Sequence, residues 1–298
     1  MQRIYNDEYV KNEIERCFDF PVKKCEFLDS GYDCEAYLIN YKWLFKITRY
    51  EEGINKFRKE KLVLDYLKDN FISKVKVPKV DFYDECEDYA IMGYEYIKGN
   101  FLTPKLYKKM NKKQKEQLIK DIVDFLKRLH DLPINNFESY VENDEDECKE
   151  DLKFLKKHLF KSLSEKEQKY IEELTLRVSK NDKFKKARKC LCHNDFSSKH
   201  IIINDRFVMT GVIDFGDSVV KEEYVDFVYL LEDSEEEIGK AFGKKVLKAY
   251  EYEDESLAID YADLNDDYYI VECLIEGIKH EDKEIFDEGM KYLKEALK

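Results

Sequence analysis

The sequence predicts an α+β protein built as two lobes, a small β-rich N-terminal lobe over residues 1–97 and a larger helical C-terminal lobe over residues 98–298. Three patterns carry that expectation. Short apolar runs alternate with polar turns through the first hundred residues, as a strand meander requires. Beyond residue 100 the apolar positions recur at three- and four-residue spacing, as helices require. One compact hairpin pattern, at residues 201–213, interrupts those helices. With 298 residues and 43% hydrophobic content, the chain has enough apolar material for two cores and a site between them.

The first hundred residues read as strands with a single helix. Phe27-Leu28-Asp29-Ser30 ends a strand at Gly31, residues 35–39 resume it, and Asn40-Tyr41-Lys42 turns the chain into Trp43-Leu44-Phe45-Lys46-Ile47. Between residues 52 and 70, Phe57, Leu64 and Leu67 fall on one helical stripe, and Glu60 falls on it too. An unpartnered buried carboxylate is costly, so Lys46 is expected opposite Glu60. Pro78 and the polar stretch 83–88 predict a hairpin that leads to a strand over 89–94. Residues 95–99 read as a hinge, which places the lobe boundary at about 94–99.

After the hinge, Leu118, Ile119, Ile122, Phe125, Leu126 and Leu129 form one helical stripe ending at His130. Residues 152–163 and 165–178 predict a lysine-rich helical pair. Residues 190–195 lead to Ile201-Ile202-Ile203, a turn at Asn204-Asp205-Arg206 and a strand over 207–213, and the remaining chain reads as helices.

Charge is distributed unevenly along this order. From Gly211 to the end there are 26 Asp and Glu against 10 Lys and Arg, whereas the whole chain carries −13 and residues 1–210 about +3. Such a field attracts cations and disfavours nucleic acid as a partner. The start of the chain lacks the basic-then-apolar order of a signal peptide, and no uncharged apolar run reaches the roughly 18 residues of a membrane span. A cytoplasmic protein is expected. Its eight cysteines are scattered; Cys190 and Cys192, one residue apart, miss the two-to-four spacing typical of zinc sites, and reduced thiols are expected.

The strongest chemical pattern is His193-x-Asp195, then His200, a hairpin, and Asp214-Phe215-Gly216. Phosphoryl transfer needs one carboxylate beside the attacking hydroxyl and another that holds a metal against the phosphates. Protein kinases write this layout as Asp, Asn five positions later, and an Asp-Phe-Gly turn; here Asp195, His200 and Asp214 occupy those places. A neutral imidazole at position 200 either ligates the metal, as a softer ligand than Mg²⁺ prefers, or orients Asp195. Lys46 with Glu60 supplies the lysine–carboxylate pair that sets a cation on nucleotide phosphates.

Weaker patterns surround that core. Ser30-Gly31-Tyr32-Asp33 reads either as an ordinary turn or as a loop that covers phosphates with backbone N–H groups and the Ser30 hydroxyl. Glu95 and Ile97 would offer backbone groups to a purine edge. An acidic constellation comprises Asp217, Glu232, Asp233, Glu235, Glu236, Asp266 and Asp267, beside Tyr268 and Tyr269. On a helix Glu232 would share a face with Glu235 or Glu236, as a receptor for a cationic ligand floored by aromatic rings or as a solvated surface.

Together, Ser30–Asp33, Ile97-Lys98-Gly99 with Phe101-Leu102-Thr103-Pro104, and the stretches 190–197, 211–218 and 230–239 resemble the aminoglycoside phosphotransferases, specifically the 2″-hydroxyl subgroup. The resemblance spans nearly the whole chain, and His at position 200 suits that subgroup better than it suits protein kinases. It implies a bilobal kinase-like fold, Mg²⁺ as cofactor, and phosphorylation of 4,6-disubstituted aminoglycosides such as kanamycin, gentamicin and tobramycin, hence antibiotic resistance. It also implies roles: Asp195 as catalytic aspartate, His200 and Asp214 at the metal, Lys46 on the phosphates, and Glu232, Glu235, Glu236 and Tyr269 around the substrate; Asp217 belongs to the acidic constellation read as substrate-binding. Tyr94, the bulky residue before the hinge, suggests GTP over ATP as donor. A monomer is expected.

Two other readings meet the same motifs. A kinase of another alcohol, such as choline, would use the same phosphate machinery, but a single charge does not call for a broad carboxylate cluster. A pseudokinase serving as a binding module would be expected to have lost Asp195, Asp214 or Lys46, and all three are present.

Overall fold

The computed structural model describes residues 4–31, 33–135, 137, 140–180 and 183–298; Tyr32 of the expected glycine turn and the first three residues lie outside the described residues. The chain divides into two compact units, Met1–Leu132 with His193–Ser218, and Pro133–Cys192 with Val219–Lys298.

The first unit begins with a helix, α1 (Asp7–Phe18), which the sequence reading lacked. Asn6 caps it by accepting from the Tyr9 N–H, and only Val10 and Ile14 are buried, so its apolar stripe is too short to stand out by periodicity. Five strands follow: β1 (Cys25–Ser30), β2 (Cys34–Ile39), β3 (Trp43–Thr48), and, after helix α2 (Glu52–Asn70), β4 (Val80–Glu85) and β5 (Ala90–Glu95). They form an antiparallel sheet in the order β1-β2-β3-β5-β4. The predicted turn at 83–88 is shorter than expected, because Tyr83, Asp84 and Glu85 pair with Met92, Ile91 and Ala90. An edge strand with a solvated side tolerates such polar residues.

Each face of the sheet is covered. Val10 and Ile14 of α1 pack with Tyr37, Ile39, Phe45, Ile47 and Ile91, while Ile54 and Phe57 of α2 pack with Ala90, Met92 and Tyr94. At Gly93 a Cβ would lie 2.5 Å from the Phe45 ring, so the centre of β5 has no room for a side chain. The β3–β5 register sets Lys46 opposite Met92 and Leu44 opposite Tyr94, which aims Lys46 to the α2 side.

The chain continues with β6 (Asn100–Phe101), α3 (Pro104–Lys109), α4 (Lys112–His130), α5 (Asp144–His158), α6 (Glu165–Ser179), β7 (Lys189–Cys192), β8 (Ile201–Ile203), β9 (Met209–Val212), β10 (Val219–Glu222), α7 (Val228–Leu231), α8 (Lys240–Tyr250), α9 (Glu255–Lys279) and α10 (Lys283–Ala296). Strands β6, β8 and β9 form a small sheet in the first unit, and β7 pairs with β10 in the second. Gly211 on β9 leaves space for Ile97, whose Cγ2 would lie 2.6 Å from a Cβ there. Helix α5 starts at Asp144, earlier than the predicted 152. Asn143 caps it and four acidic residues fill its first turn, an arrangement favoured by the helix dipole rather than by an apolar stripe.

One expectation is overturned in the second unit. Residues 232–239 are an irregular link between α7 and α8, with bends at 234–237, rather than a helix, so Glu232, Glu235 and Glu236 share no helical face. Five carboxylates in six positions repel one another in a helix. Gly239 instead takes φ +105°, and Asp233 accepts from the Lys240 N–H to start α8. Among the described residues no helix is long and apolar enough to cross a membrane.

Candidate active site

Within the first unit, β3, α2 and the loops flanking the β8–β9 hairpin gather five of the predicted residues: Lys46, Glu60, Asp195, His200 and Asp214. Glu60 lies on the α2 stripe that faces β3 and is 1% exposed. Lys46 Nζ donates to its two oxygens at 3.1 and 2.9 Å, and to Asp214 Oδ1 at 3.0 Å. One buried ammonium therefore serves two carboxylates. Burial works against the Lys46 ammonium, but Asp214 and Glu60 more than offset it and keep it protonated. Burial likewise opposes the charge on Asp214, yet Lys46 and His200 hold its carboxyl well below the usual range. Glu60, fully enclosed, is pushed up by burial against the pull of Lys46.

The loop before β8 is shaped by its own backbone. Asn194 has φ 64° and Asp214 has φ 67°, left-handed conformations that Asn and Asp tolerate better than most residues and that concentrate at functional sites. The buried His193 ring packs 4.7 Å from Phe215, and its Nε2 donates to the Ile213 carbonyl at 3.0 Å. The Ile213 N–H donates to the His200 carbonyl at 3.0 Å. The two loops that carry Asp195 and Asp214 are thereby fastened to each other.

His200 connects the two aspartates. Its Nδ1 lies 2.8 Å from the Asp195 carbonyl oxygen, which can only accept, so Nδ1 is the donor there. Its Nε2 faces Asp214 Oδ2 at 3.7 Å. An imidazole whose Nδ1–H is held by a carbonyl is a usual arrangement for a ligating histidine, with Nε2 the ligating atom when the ring is neutral. Asp214 and His200 thus fit a divalent cation, with the carboxylate the harder donor of the two. The Asp195 side chain remains accessible, and burial, with the Asp217 and Asp214 carboxylates, pushes its pKa up to about 6 against the pull of His200 and Lys199.

The other predicted residues fall into two groups. In the first unit Ser30 ends β1 and its Oγ is buried without a hydrogen-bond partner among the described residues. Tyr94 is buried, Glu95 is exposed and Ile97 is half-buried against Gly211. Asp217 is paired with Lys56 at 3.3 Å, and sequence reasoning missed Lys56 although it stands one turn before Glu60. In the second unit Glu235 and Glu236 are exposed, Glu232 is half-buried, and Glu237, which was not singled out, is buried. Desolvation and the Glu232 and Asp263 carboxylates push Asp266 up to about 6, so Glu232 and Asp266 share one acidic patch. Tyr269 is 45% exposed and packs its ring 6.1 Å from Tyr292.

A sequence profile of the phosphotransferase enzyme family matches residues 24–262. Among solved structures, the gentamicin complex of APH(2″)-IIa is similar with a TM-score of 0.87 at 28% identity, over 98% of this chain and 97% of that one. The ADP-bound aminoglycoside phosphotransferase APH(2″)-Ib is similar with a TM-score of 0.84 at 29% identity, over 98% and 97% of the two chains. The streptomycin–ATP ternary complex of APH(2″)-IIa gives 0.83 at 28% identity, with the same coverage.

Proposed function

Because this chain belongs to the phosphotransferase enzyme family and has its kinase-like fold, we propose that it moves the γ-phosphoryl group of GTP or ATP to the 2″-hydroxyl of 4,6-disubstituted aminoglycosides. The observation that carries the chemistry is the connected set Glu60–Lys46–Asp214–His200–Asp195, with contacts of 2.8–3.7 Å at every link. The acceptor class is supported by the gentamicin bound in a similar structure and by the acidic patch around Glu232 and Asp266.

Asp195 is the residue suited to receive the hydroxyl proton of the acceptor. Its raised pKa makes it a better base than an ordinary carboxylate while leaving it ionised at neutral pH. Lys46, held by Glu60, places a fixed positive charge for the phosphates, and the Ser30 hydroxyl and the glycine turn would add donors above them. Asp214 and His200 would hold Mg²⁺, which when bound neutralises charge on the phosphates. Asp217, Glu232, Glu235, Glu236 and Tyr269 would receive the cationic rings of the acceptor. Glu95 and Ile97, in the hinge at 94–99 between lobes 1–97 and 98–298, would take the base, with Tyr94 behind them favouring GTP. Such an enzyme acts as a cytoplasmic monomer and confers aminoglycoside resistance.

A coupled assay of kanamycin with GTP and with ATP, followed by identification of the phosphorylated position by NMR, tests this. The expected product is the 2″-phosphate, with GTP the better donor. Turnover of choline without turnover of kanamycin, gentamicin or tobramycin would replace the acceptor class and leave the phosphoryl-transfer machinery in place.

A further inference from the structure

Lys56 on α2 bridges two loops. Its Nζ lies 2.7 Å from Asp33 Oδ2 and 3.3 Å from Asp217 Oδ1. Asp33 ends the glycine turn; Arg49, just past β3, donates its N–H to the Asp33 carbonyl at 2.8 Å and its Nη1 to the Gly31 carbonyl at 3.0 Å. Asp217 follows Asp214-Phe215-Gly216 directly and stands close enough to Asp195 to oppose its ionisation. One ammonium thus joins Asp33 at the end of the glycine turn to the loop that follows Asp214-Phe215-Gly216. Lys56 and Asp217 are each nearly half exposed, at 42% and 45%, so incoming cations reach the bridge.

We propose that Lys56 is a positioning residue that couples the acceptor to the phosphate turn: it neutralises Asp217 until an ammonium of the acceptor takes over that carboxylate, and it steadies the turn through Asp33. The inference rests on the reading of Asp217 as an acceptor-facing carboxylate. Exposed ion pairs are weak and easily exchanged, which suits a contact that must give way on each turnover. The two halves have opposite signs. Lys56 competes with the acceptor for Asp217, yet it supports nucleotide binding by ordering the turn.

Kinetics of Lys56→Met, Lys56→Arg and Asp33→Asn, with thermal midpoints to confirm folding, separate those signs. In Lys56→Met the KM for kanamycin should fall by about two- to fivefold while the KM for magnesium–nucleotide rises by about the same factor, the range an exposed ion pair provides. Lys56→Arg should restore both. Asp33→Asn should raise the nucleotide KM and leave the kanamycin KM unchanged. Two KM values that move together in Lys56→Met, or a nucleotide KM unchanged in both Lys56→Met and Asp33→Asn, would overturn the proposal. If Lys56→Met does not fold, an equal shift of both KM values in Asp33→Asn overturns it. The nucleotide arm is also measured as ATP hydrolysis without acceptor. Wild-type enzyme that leaves kanamycin untouched would therefore remove the proposed acceptor, while unchanged hydrolysis KM values would separately remove the role of Lys56.

Discussion

His200 Nε2 is turned toward Asp214 Oδ2 at 3.7 Å, and the contact of its Nδ1 with the Asp195 carbonyl holds the ring in that direction. As the proposed metal ligands, Asp214 would bring the charge and His200 an imidazole oriented by the Asp195 carbonyl, 2.8 Å from its Nδ1. Asp214→Asn should therefore weaken magnesium-dependent nucleotide binding strongly, whereas His200→Asn should retain partial activity, since an amide oxygen is also a suitable ligand for Mg²⁺. A nucleotide-binding titration at several Mg²⁺ concentrations checks this; unchanged Mg²⁺ dependence in Asp214→Asn would remove that residue from the metal site.

Asp195→Ala should lower kcat by about 10²–10⁴, the usual worth of a positioned acid–base group, with nucleotide affinity nearly intact because Asp195 makes no contact with Lys46 or Asp214 that binding depends on. Steady-state kinetics with a nucleotide-binding measurement separate the two. A variant that keeps a tenth of wild-type turnover would take the base assignment away.

The pKa of Asp195 sets a pH signature. With the ionised form as the proposed base, kcat/KM should be level above about 6 and fall tenfold per pH unit below it. Stability moves the other way for this group. Its carboxyl binds a proton more readily folded than unfolded, so between about 6 and the ordinary carboxylate range near 4 its contribution to stability rises as the pH falls. A pH–rate profile whose acidic limb begins only near 4 would show Asp195 to be unperturbed when it acts.

Lys46→Met should destabilise the protein by about 3 kcal/mol, because it leaves the Glu60 and Asp214 carboxylates facing each other without their ammonium. Adding Glu60→Leu should recover part of that loss, since replacing a whole buried pair costs less than breaking it. Urea denaturation of the single and double variants measures both, and a Lys46→Met protein of wild-type stability would mean that the pair contributes nothing.

For the acidic patch, Glu232→Gln should raise the KM for kanamycin and leave the nucleotide KM unchanged, by a larger factor than Glu235→Gln or Glu236→Gln. Glu232 is half-buried and interacts with Asp266, whereas the other two are exposed and screened by water and salt. Kinetics at low and high ionic strength test this order; equal acceptor KM values in wild type and all three variants would return the patch to a solvated surface.

How much of this was legible in advance differs from element to element. Helix α2 appears at the expected residues 52–70, and the Lys46–Glu60 contact lies where the stripe pointed, because a long helix and an alternating strand report their buried faces through period alone. Helix α1 and the start of α5 were not legible in this way. They are set by Asn6 and Asn143 side chains on free backbone N–H groups, which leave only a faint mark on the apolar pattern. The acidic run 232–239 was misread as helical because pairwise spacing says nothing of the repulsion that opens it.

The sequence by itself determined the kind of chemistry, since Asp195, His200 and Asp214 stand at a spacing that has few other uses, and it determined the sheet, since alternation and turns are local properties. Tertiary structure alone decided which acidic groups share a site and which ones are already paired. Lys56 reaches across 161 residues to Asp217 and across 23 to Asp33, and Lys46 reaches across 168 to Asp214. Such ion pairs depend on where the folded backbone brings distant segments, and a carboxylate's charge state follows from burial and neighbours that no linear pattern encodes.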